Sequence, residues 1–309
     1  MDSKPLIIDC DPGKDDAVAL LLAFASPELD LLAITTVAGN VPLKVTAANA
    51  RRICELGGRP DIPVHAGCPR PIMQPLETAT HVHGEDGLAG ADLPPPTMAL
   101  ADGHAVDVLV ERLMAGNDIT LAVLGPMTNV ALAIIKQPDI VPRIRETVFM
   151  GGGVGVGNVT PYAEFNLYCD PHAAAVVVSA GVPLTMIGLD VTHQARATAE
   201  RVAAFGAIGN PPGNIVADML GVDRERGADT ESGEIGAPLH DPCVIAYLLR
   251  PDLFETEAMH VTVETSNLER LGETVATAPR PDQAANINVV RGIDADGFFA
   301  LLTERLARL

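Results

Sequence analysis

Short apolar runs that alternate with helical patterns constrain this chain more than any other feature. Pro5–Asp9 (PLIID), Leu29–Val37 (LDLLAITTV), Ile119–Leu124, Thr147–Met150 and Leu184–Ile187 each read as a buried strand. Between them, Asp15–Ala25 and residues 43–57, 101–115, 128–136 and 171–180 carry helical spacing. Such alternation predicts an α/β fold, a mostly parallel open sheet flanked by helices on both faces. Strand-like runs at 258–263, 273–277 and 286–290 precede a final helix over 294–307. No repeat and no linker divides the sequence, so one domain over residues 1–309 is expected. In such sheets ligands bind beyond the carboxyl ends of the strands.

Three stretches interrupt the rhythm. Residues 66–97 are rich in Pro, Gly and His, residues 151–163 form a glycine-rich exit from a strand, and residues 221–238 are polar without apolar periodicity. Long loops inside a compact domain are usually functional lids or disordered segments. The glycine run does not bind a nucleotide phosphate by the usual device. No GxGxxG register fits, because Val156 or Asn158 falls where the last glycine belongs, and no P-loop lysine follows. Its use is to let the backbone pass close to a ligand.

The charge balance narrows the partners. With 40 acidic residues against 21 basic, the net charge is −19, which argues against a nucleic acid polymer. It suits a divalent cation, although an acidic balance also simply favours solubility. Five scattered cysteines with no CxxC pair make neither a disulfide framework nor a zinc site, and point to a reducing cytoplasm. No secretory signal pattern is visible. The longest apolar stretch, Ala17–Ala25, is too short to span a bilayer, so no membrane partner is expected.

The chemistry begins where the first strand ends. Asp9-Cys10-Asp11-Pro12-Gly13-Lys14-Asp15-Asp16 places four carboxylates within eight residues at a strand end and a helix start. Capping and the helix dipole account for one or two of them. Four together repel one another if partly buried, unless a cation neutralises them. Oxygen-only donors select calcium or magnesium over zinc or copper. Pro12 and Gly13 supply the turn that folds the acids toward one point.

These residues carry a resemblance. The acidic segment is similar to the N-terminal signature of the inosine-uridine preferring nucleoside hydrolase family. Further blocks agree in order: AITTVAGN (33–40), HVHGEDG (81–87), LGPMTN (124–129), MGGG (150–153), GNVTPYAEFN (157–166) and HDPC (240–243). The resemblance implies a Rossmann-like core and a calcium-dependent hydrolysis of the N-glycosidic bond of ribonucleosides. It implies calcium ligands at Asp11, Asp16 and Asp241 and the carbonyl of Leu124, where the family usually has threonine. It makes Asp11 the general base toward water and His240 the group that assists base departure. Ribose contacts fall on Asp15, Asn40, Asn158, Glu164 and Asn166, with Met150, Phe165 and Asp241 in the substrate set and His83 near the base. A homo-oligomer, dimer or tetramer, is also expected.

Each residue has a plainer use. His240 fits an ordinary helix start, Asn40, Asn158, Glu164 and Asn166 fit turns and caps, and His81 and His83 fit an exposed loop. Two other functions compete. A haloacid-dehalogenase-type phosphatase would use Asp9 as nucleophile, but Pro12-Gly13 follow Asp11 where that class carries Thr or Val. A non-catalytic calcium-dependent sugar-binding protein would keep the fold without turnover; the retained Asp11 and His240 weigh against it. As for the base, the chain has no tryptophan and the 221–238 loop has no aromatic residue. Tryptophan stacking of a purine is thereby excluded, and a broad or pyrimidine preference, or a less usual ribosyl substrate, is expected.

Overall fold

The structure is a computed structural model and describes residues 3–116, 118–225 and 236–309. The first half contains β1 (Lys4–Cys10), α1 (Lys14–Phe24), β2 (Leu29–Thr36), α2 (Leu43–Leu56), β3 (Val64–Ala66), α3 (Thr80–His83), α4 (Ala105–Ala115), β4 (Ile119–Val123), α5 (Thr128–Lys136) and β5 (Ile144–Met150). Then follow α6 (Phe165–Cys169), α7 (Pro171–Ser179), β6 (Leu184–Ile187), α8 (Leu189–Thr192), β7 (Arg196–Ala197), α9 (Ala199–Ala207) and α10 (Pro211–Glu225). The chain closes with β8 (Ala237–Pro238), α11 (Pro242–Leu249), β9 (Phe254–Val263), β10 (Thr274–Thr277), β11 (Ile287–Ile293) and α12 (Ala295–Leu306).

Nine strands form one sheet in the order β10-β9-β11-β6-β5-β4-β1-β2-β3. It is parallel from β3 through β11, and β9 runs antiparallel to β11 and β10. The expected α/β class is therefore the observed one. The central strands are continuous apolar runs because both of their faces are covered. In β1, Leu6, Ile8 and Cys10 point into one core and Ile7 into the other. All four are fully buried, and each aliphatic side chain contributes roughly 1.5–3 kcal/mol relative to exposure. The first core takes up α1, α11 and α12; the second takes up α4, α5 and α7.

Topology then places the site. From β1 the chain winds outward through β2 and β3, and returns to β4 on the other side of β1. The crevice at such a reversal is where open α/β sheets bind ligands. Here it is flanked by Asp9–Asp11 at the end of β1 and by Leu124–Gly125 after β4, joined by the Leu124 N–H donating to the Asp9 carbonyl at 2.8 Å.

Two regions differ from the sequence expectation. Residues 199–225, to which no element is assigned above, form the helices α9 and α10. Helix α10 opens with Pro211-Pro212-Gly213, a helix-breaking signal that is harmless in the first turn, where N–H groups have no intrahelical partner anyway. The expected 221–238 loop is shorter at both ends. Residues 221–225 complete α10, and Ala237–Pro238 pairs with Arg196–Ala197; residues 226–235 lie outside the described residues. The 66–97 stretch is largely irregular, as expected, but contains the turn of helix α3.

Candidate active site

The acidic turn is held by its own backbone. Asp16, in the first turn of α1, accepts the Gly13 N–H at 2.9 Å through Oδ2 and the Asp11 N–H at 3.2 Å through Oδ1. This reach back to the helix start is half of a capping box and is the structural part of its work. Asp11 accepts the Asn40 N–H at 2.6 Å through Oδ2, and the Asn40 amide donates to the Asp11 carbonyl at 3.3 Å and to Asp16 Oδ2 at 3.2 Å. Two glycines press on the Asp11 carboxylate. A Cβ at Gly39 would stand 2.1 Å from Oδ2, and one at Gly125 2.3 Å from Oδ1. The glycines of AITTVAGN and LGPMTN are thus the residues that let two loops close on one aspartate. Asp11 Oδ1 is buried and makes no hydrogen bond among the described residues.

Asp241 is the N-cap of α11 with Pro242 at the first helical position, yet its side chain makes no capping bond. It turns instead to the Asp16 side chain. Carboxylate oxygens of Asp15, Asp16 and Asp241 lie within 4.8 Å of one another, a grouping that can hold a metal ion. Asp11 is outside that close trio, though it faces the same charges. Burial, reinforced by neighbouring carboxylates, drives Asp11 and Asp241 well above the usual carboxylate range and raises Asp16 to about 7. Such a cluster remains anionic only when a proton or a cation is shared among its members. The unpaired Asp11 oxygen and the all-oxygen donor set fit a hard divalent cation.

The opposite wall comes from the glycine-rich loop and α6. Glu164 caps α6, accepting the Asn166 N–H at 2.9 Å and the Leu167 N–H at 3.3 Å, and also takes the Gly152 N–H at 2.9 Å. Burial pushes its pKa to about 7 against those three donors. The Asn166 amide donates to the carbonyls of Leu124 at 2.8 Å and Met150 at 3.2 Å, linking the ends of β4 and β5. Asn158 accepts the Phe165 N–H at 2.9 Å. The plain cap and turn functions of Glu164 and Asn158 are therefore real, and they also fix polar groups on the cavity wall.

These residues enclose a cavity of ≈ 340 Å³. Asp15, Asn40, His83, Leu124, Met150, Asn158, Glu164, Phe165, Asn166, His240 and Asp241 all line it, whereas Asp11 and Asp16 are fully buried behind Asn40. His83 is no loose loop residue: it is buried, and its Nδ1 accepts the Lys14 N–H at 3.2 Å. His240 is half-buried, and its Nδ1 lies 2.8 Å from the Thr192 hydroxyl. Burial lowers its pKa to about 4, with Asp15 pulling the other way. Sequence reasoning missed the apolar wall of Val82, Val159, Leu220 and Leu239, and missed Thr192. Leu220 sits on a helix that had not been foreseen, and a buried threonine in a short helix carries no local signal.

Asp9 belongs elsewhere. It is buried beneath the cavity, where Oδ1 accepts Thr35 Oγ1 at 2.6 Å and Asn129 Nδ2 at 2.8 Å. A phosphatase nucleophile must attack its substrate directly, not through a water as a general base can, and Asp9 does not line the cavity.

The doubly wound sheet with buried carboxylates at its switch point is an α/β architecture with a cavity for a small ligand beside that cluster. Residues 6–300 match the model of the inosine-uridine preferring nucleoside hydrolases. The chain is 46% identical over 308 residues to the pyrimidine-specific ribonucleoside hydrolase RihA of Salmonella agona, covering 98% of both. It is 45% identical to an uncharacterized protein, C1683.06c, of Schizosaccharomyces pombe, covering 98% of this chain and 99% of the other. Among solved structures, a purine-preferring ribonucleoside hydrolase from Gardnerella vaginalis superposes with a TM-score of 0.92 at 31% identity, covering 98% of each chain. A plant nucleoside hydrolase does so at 0.89 and 30%, covering 99% of each. The chain belongs to the inosine-uridine preferring nucleoside hydrolase family and is a hydrolase acting on N-glycosyl compounds. Among the described residues no helix is long and apolar enough to cross a membrane.

Proposed function

We propose that this protein hydrolyses ribonucleosides to ribose and free base in a calcium-dependent reaction, with pyrimidine nucleosides preferred. The observation that carries the reading is the largely buried carboxylate cluster opening onto a cavity of ≈ 340 Å³. Asp11, Asp16, Asp241 and the Leu124 carbonyl would hold the ion, with Asp15 adjoining through the close trio. A cation there would offset the clustered negative charge and make a nearby water more acidic.

The chain's own groups supply the rest. Asp11, with one oxygen fixed by Asn40 and the other unpaired, accepts the proton of the attacking water. The water oxygen bonds to the anomeric carbon, the C–N bond breaks, and its electron pair leaves on the base, which is protonated in the end. As that bond stretches the sugar gains oxocarbenium character. Asp15, Glu164 and the amide oxygens of Asn40, Asn158 and Asn166 face this positive charge, and of these Asn40, Glu164 and Asn166 are buried. His240 assists the departing base, and His83, Met150 and Phe165 complete the substrate contacts.

The base preference rests on two facts. Identity to the pyrimidine-specific enzyme is 46%, against 31% to the purine-preferring one. Phe165 is the only Phe, Tyr or Trp ring lining the cavity among the described residues, so a purine finds little to stack on. A homo-oligomer, dimer or tetramer, working in the cytoplasm is part of the same proposal, supported by likeness in sequence; sedimentation measures the first. The decisive experiment follows release of base from a nucleoside panel, with and without a chelator and after calcium is restored. Turnover that persists in full after chelation removes the metal from the reading, and no turnover of any nucleoside favours the sugar-binding alternative.

A further inference from the structure

Thr192 lies at the end of α8, fully buried, and its hydroxyl makes one hydrogen bond among the described residues, the 2.8 Å contact to His240 Nδ1. A hydroxyl has one proton and two lone pairs, so this contact has two possible senses. If Nδ1 carried a hydrogen, the ring would donate to Thr192 Oγ1, and the threonine proton would be left buried with no acceptor. Buried donors are rarely left so, because the desolvation cost is not recovered. If the hydroxyl donates instead, every group in the contact is satisfied. Nδ1 is then bare and Nε2 carries the hydrogen. The same count weighs against a doubly protonated ring, which would also need Thr192 to accept.

We propose that Thr192 is a positioning residue that fixes the tautomer of His240, so that Nε2–H is the donor offered to the departing base. The inference rests on the reading of His240 as the group that assists base departure. Since Nδ1 is occupied by Thr192 and the ring lines the cavity, Nε2 is the ring nitrogen left for a ligand. The ring also meets that of His193 in an edge contact, with centroids 6.1 Å apart. The imidazole is thus held by one hydrogen bond and one ring contact. Its hydrogen bond strengthens as the base gains negative charge, and no proton need leave the histidine. The hydrogen that the base finally acquires comes from solvent, and the proton taken by Asp11 returns there, so the hydrolysis balances.

The test has a spectroscopic and a kinetic arm. In protein labelled with ¹⁵N-histidine and loaded with calcium, the His240 resonances, assigned by their loss in His240→Gln, are expected to show a bare Nδ1 and a protonated Nε2. A protonated Nδ1 overturns the assignment. In Thr192→Val, which keeps shape and loses the hydroxyl, kcat for uridine is expected to fall about tenfold, the worth of one such hydrogen bond. With p-nitrophenyl riboside, whose phenolate leaves unaided, kcat should stay within roughly twofold under the same reasoning. Thr192→Ser should restore uridine turnover. An equal loss on both substrates, or no rescue by serine, reduces Thr192 to packing and overturns the proposal. His240→Ala measured alongside separates the two failures. If it slows both substrates alike, the reading of His240 itself is lost, and the ¹⁵N spectrum alone then decides the tautomer.

Discussion

The two ends of the cavity are built in different ways. At the carboxylate end three of the functional groups are tied to the backbone near a strand end: Asp11 to Asn40, Asp16 to the turn, Asn166 to the carbonyls of Leu124 and Met150. At the other end the wall is apolar, made by Val82, Leu220 and Leu239 from three separate segments, with His240 held by one side-chain hydrogen bond and one ring contact. A charge-stabilising site needs preorganised polar groups that do not relax during the reaction. A pocket that selects among flat bases needs mainly shape, which leucines supply and which can be altered without dismantling the chemistry. On the proposed function, the difference would separate residues that set the rate from residues that set the choice of substrate.

Substitutions at the first end should be the most damaging. Asp11→Asn removes an acceptor that an amide cannot replace, so kcat should drop by about two to four orders of magnitude with the fold retained. Activity within tenfold of wild type, in a protein with an unchanged melting curve, would break the division at its strongest point. Gly125→Ala tests the same end without touching a polar group. Its methyl would lie 2.3 Å from Asp11 Oδ1, and displacing a catalytic carboxylate by an ångström costs on the order of a hundredfold. If kcat is unchanged, the close approach of that loop is not what aims Asp11.

At the second end the effects should depend on the substrate. His240→Ala should slow natural nucleosides by about a hundredfold or more while slowing p-nitrophenyl riboside far less. Parallel losses on both would make His240 part of the carboxylate framework and blur the comparison. Leu220→Ala enlarges the apolar wall and should shift the uridine-to-inosine ratio of kcat/KM by roughly tenfold, with kcat for the better substrate nearly intact. A ratio that does not move would place the base elsewhere in the cavity.

The smallest effect is expected far from both ends. Glu28 forms a two-pronged pair with Arg305 at 2.7 Å on each arm, which holds its pKa down to about 2 and ties α12 to the turn before β2. A lowered carboxylate pKa stabilises the fold above the ordinary value near 4.5 and loses that contribution as pH falls toward 2. Glu28 is largely exposed, so the pair is worth at most about 1 kcal/mol. Denaturant midpoints of wild type and Arg305→Met should converge as pH drops from 6 to 3, while nucleoside turnover at neutral pH stays the same. A constant gap would show that Arg305 acts through packing alone.

The order of strands and helices was legible because apolar periodicity is local, and both faces of a central strand must be apolar when helices cover them. The acidic turn was legible for a similar reason: four carboxylates in eight residues cannot all be caps. Helices α9 and α10 were not, since Pro-Pro-Gly looks like a break from sequence and is tolerated only because it falls in a first turn. The apolar wall around Leu220 was lost with them.

Asp241 shows most plainly what three dimensions decide. Asp170, Asp241 and Asp294 all stand at helix N-caps. In Asp170 and Asp294 the carboxylate accepts a backbone N–H of its own helix; in Asp241 it accepts none and turns to Asp16. Sequence by itself determined that an aspartate stands before each helix, and that the family pattern gives one of them a further part. Only tertiary structure decided which carboxylate leaves its helix, because that depends on the N-termini of α1 and α11 bringing residues 16 and 241 together across the same crevice. The Thr192–His240 contact is of the same kind, joining residues 48 positions apart. Interactions between distant segments leave no periodicity to read; they follow from how the sheet is wound.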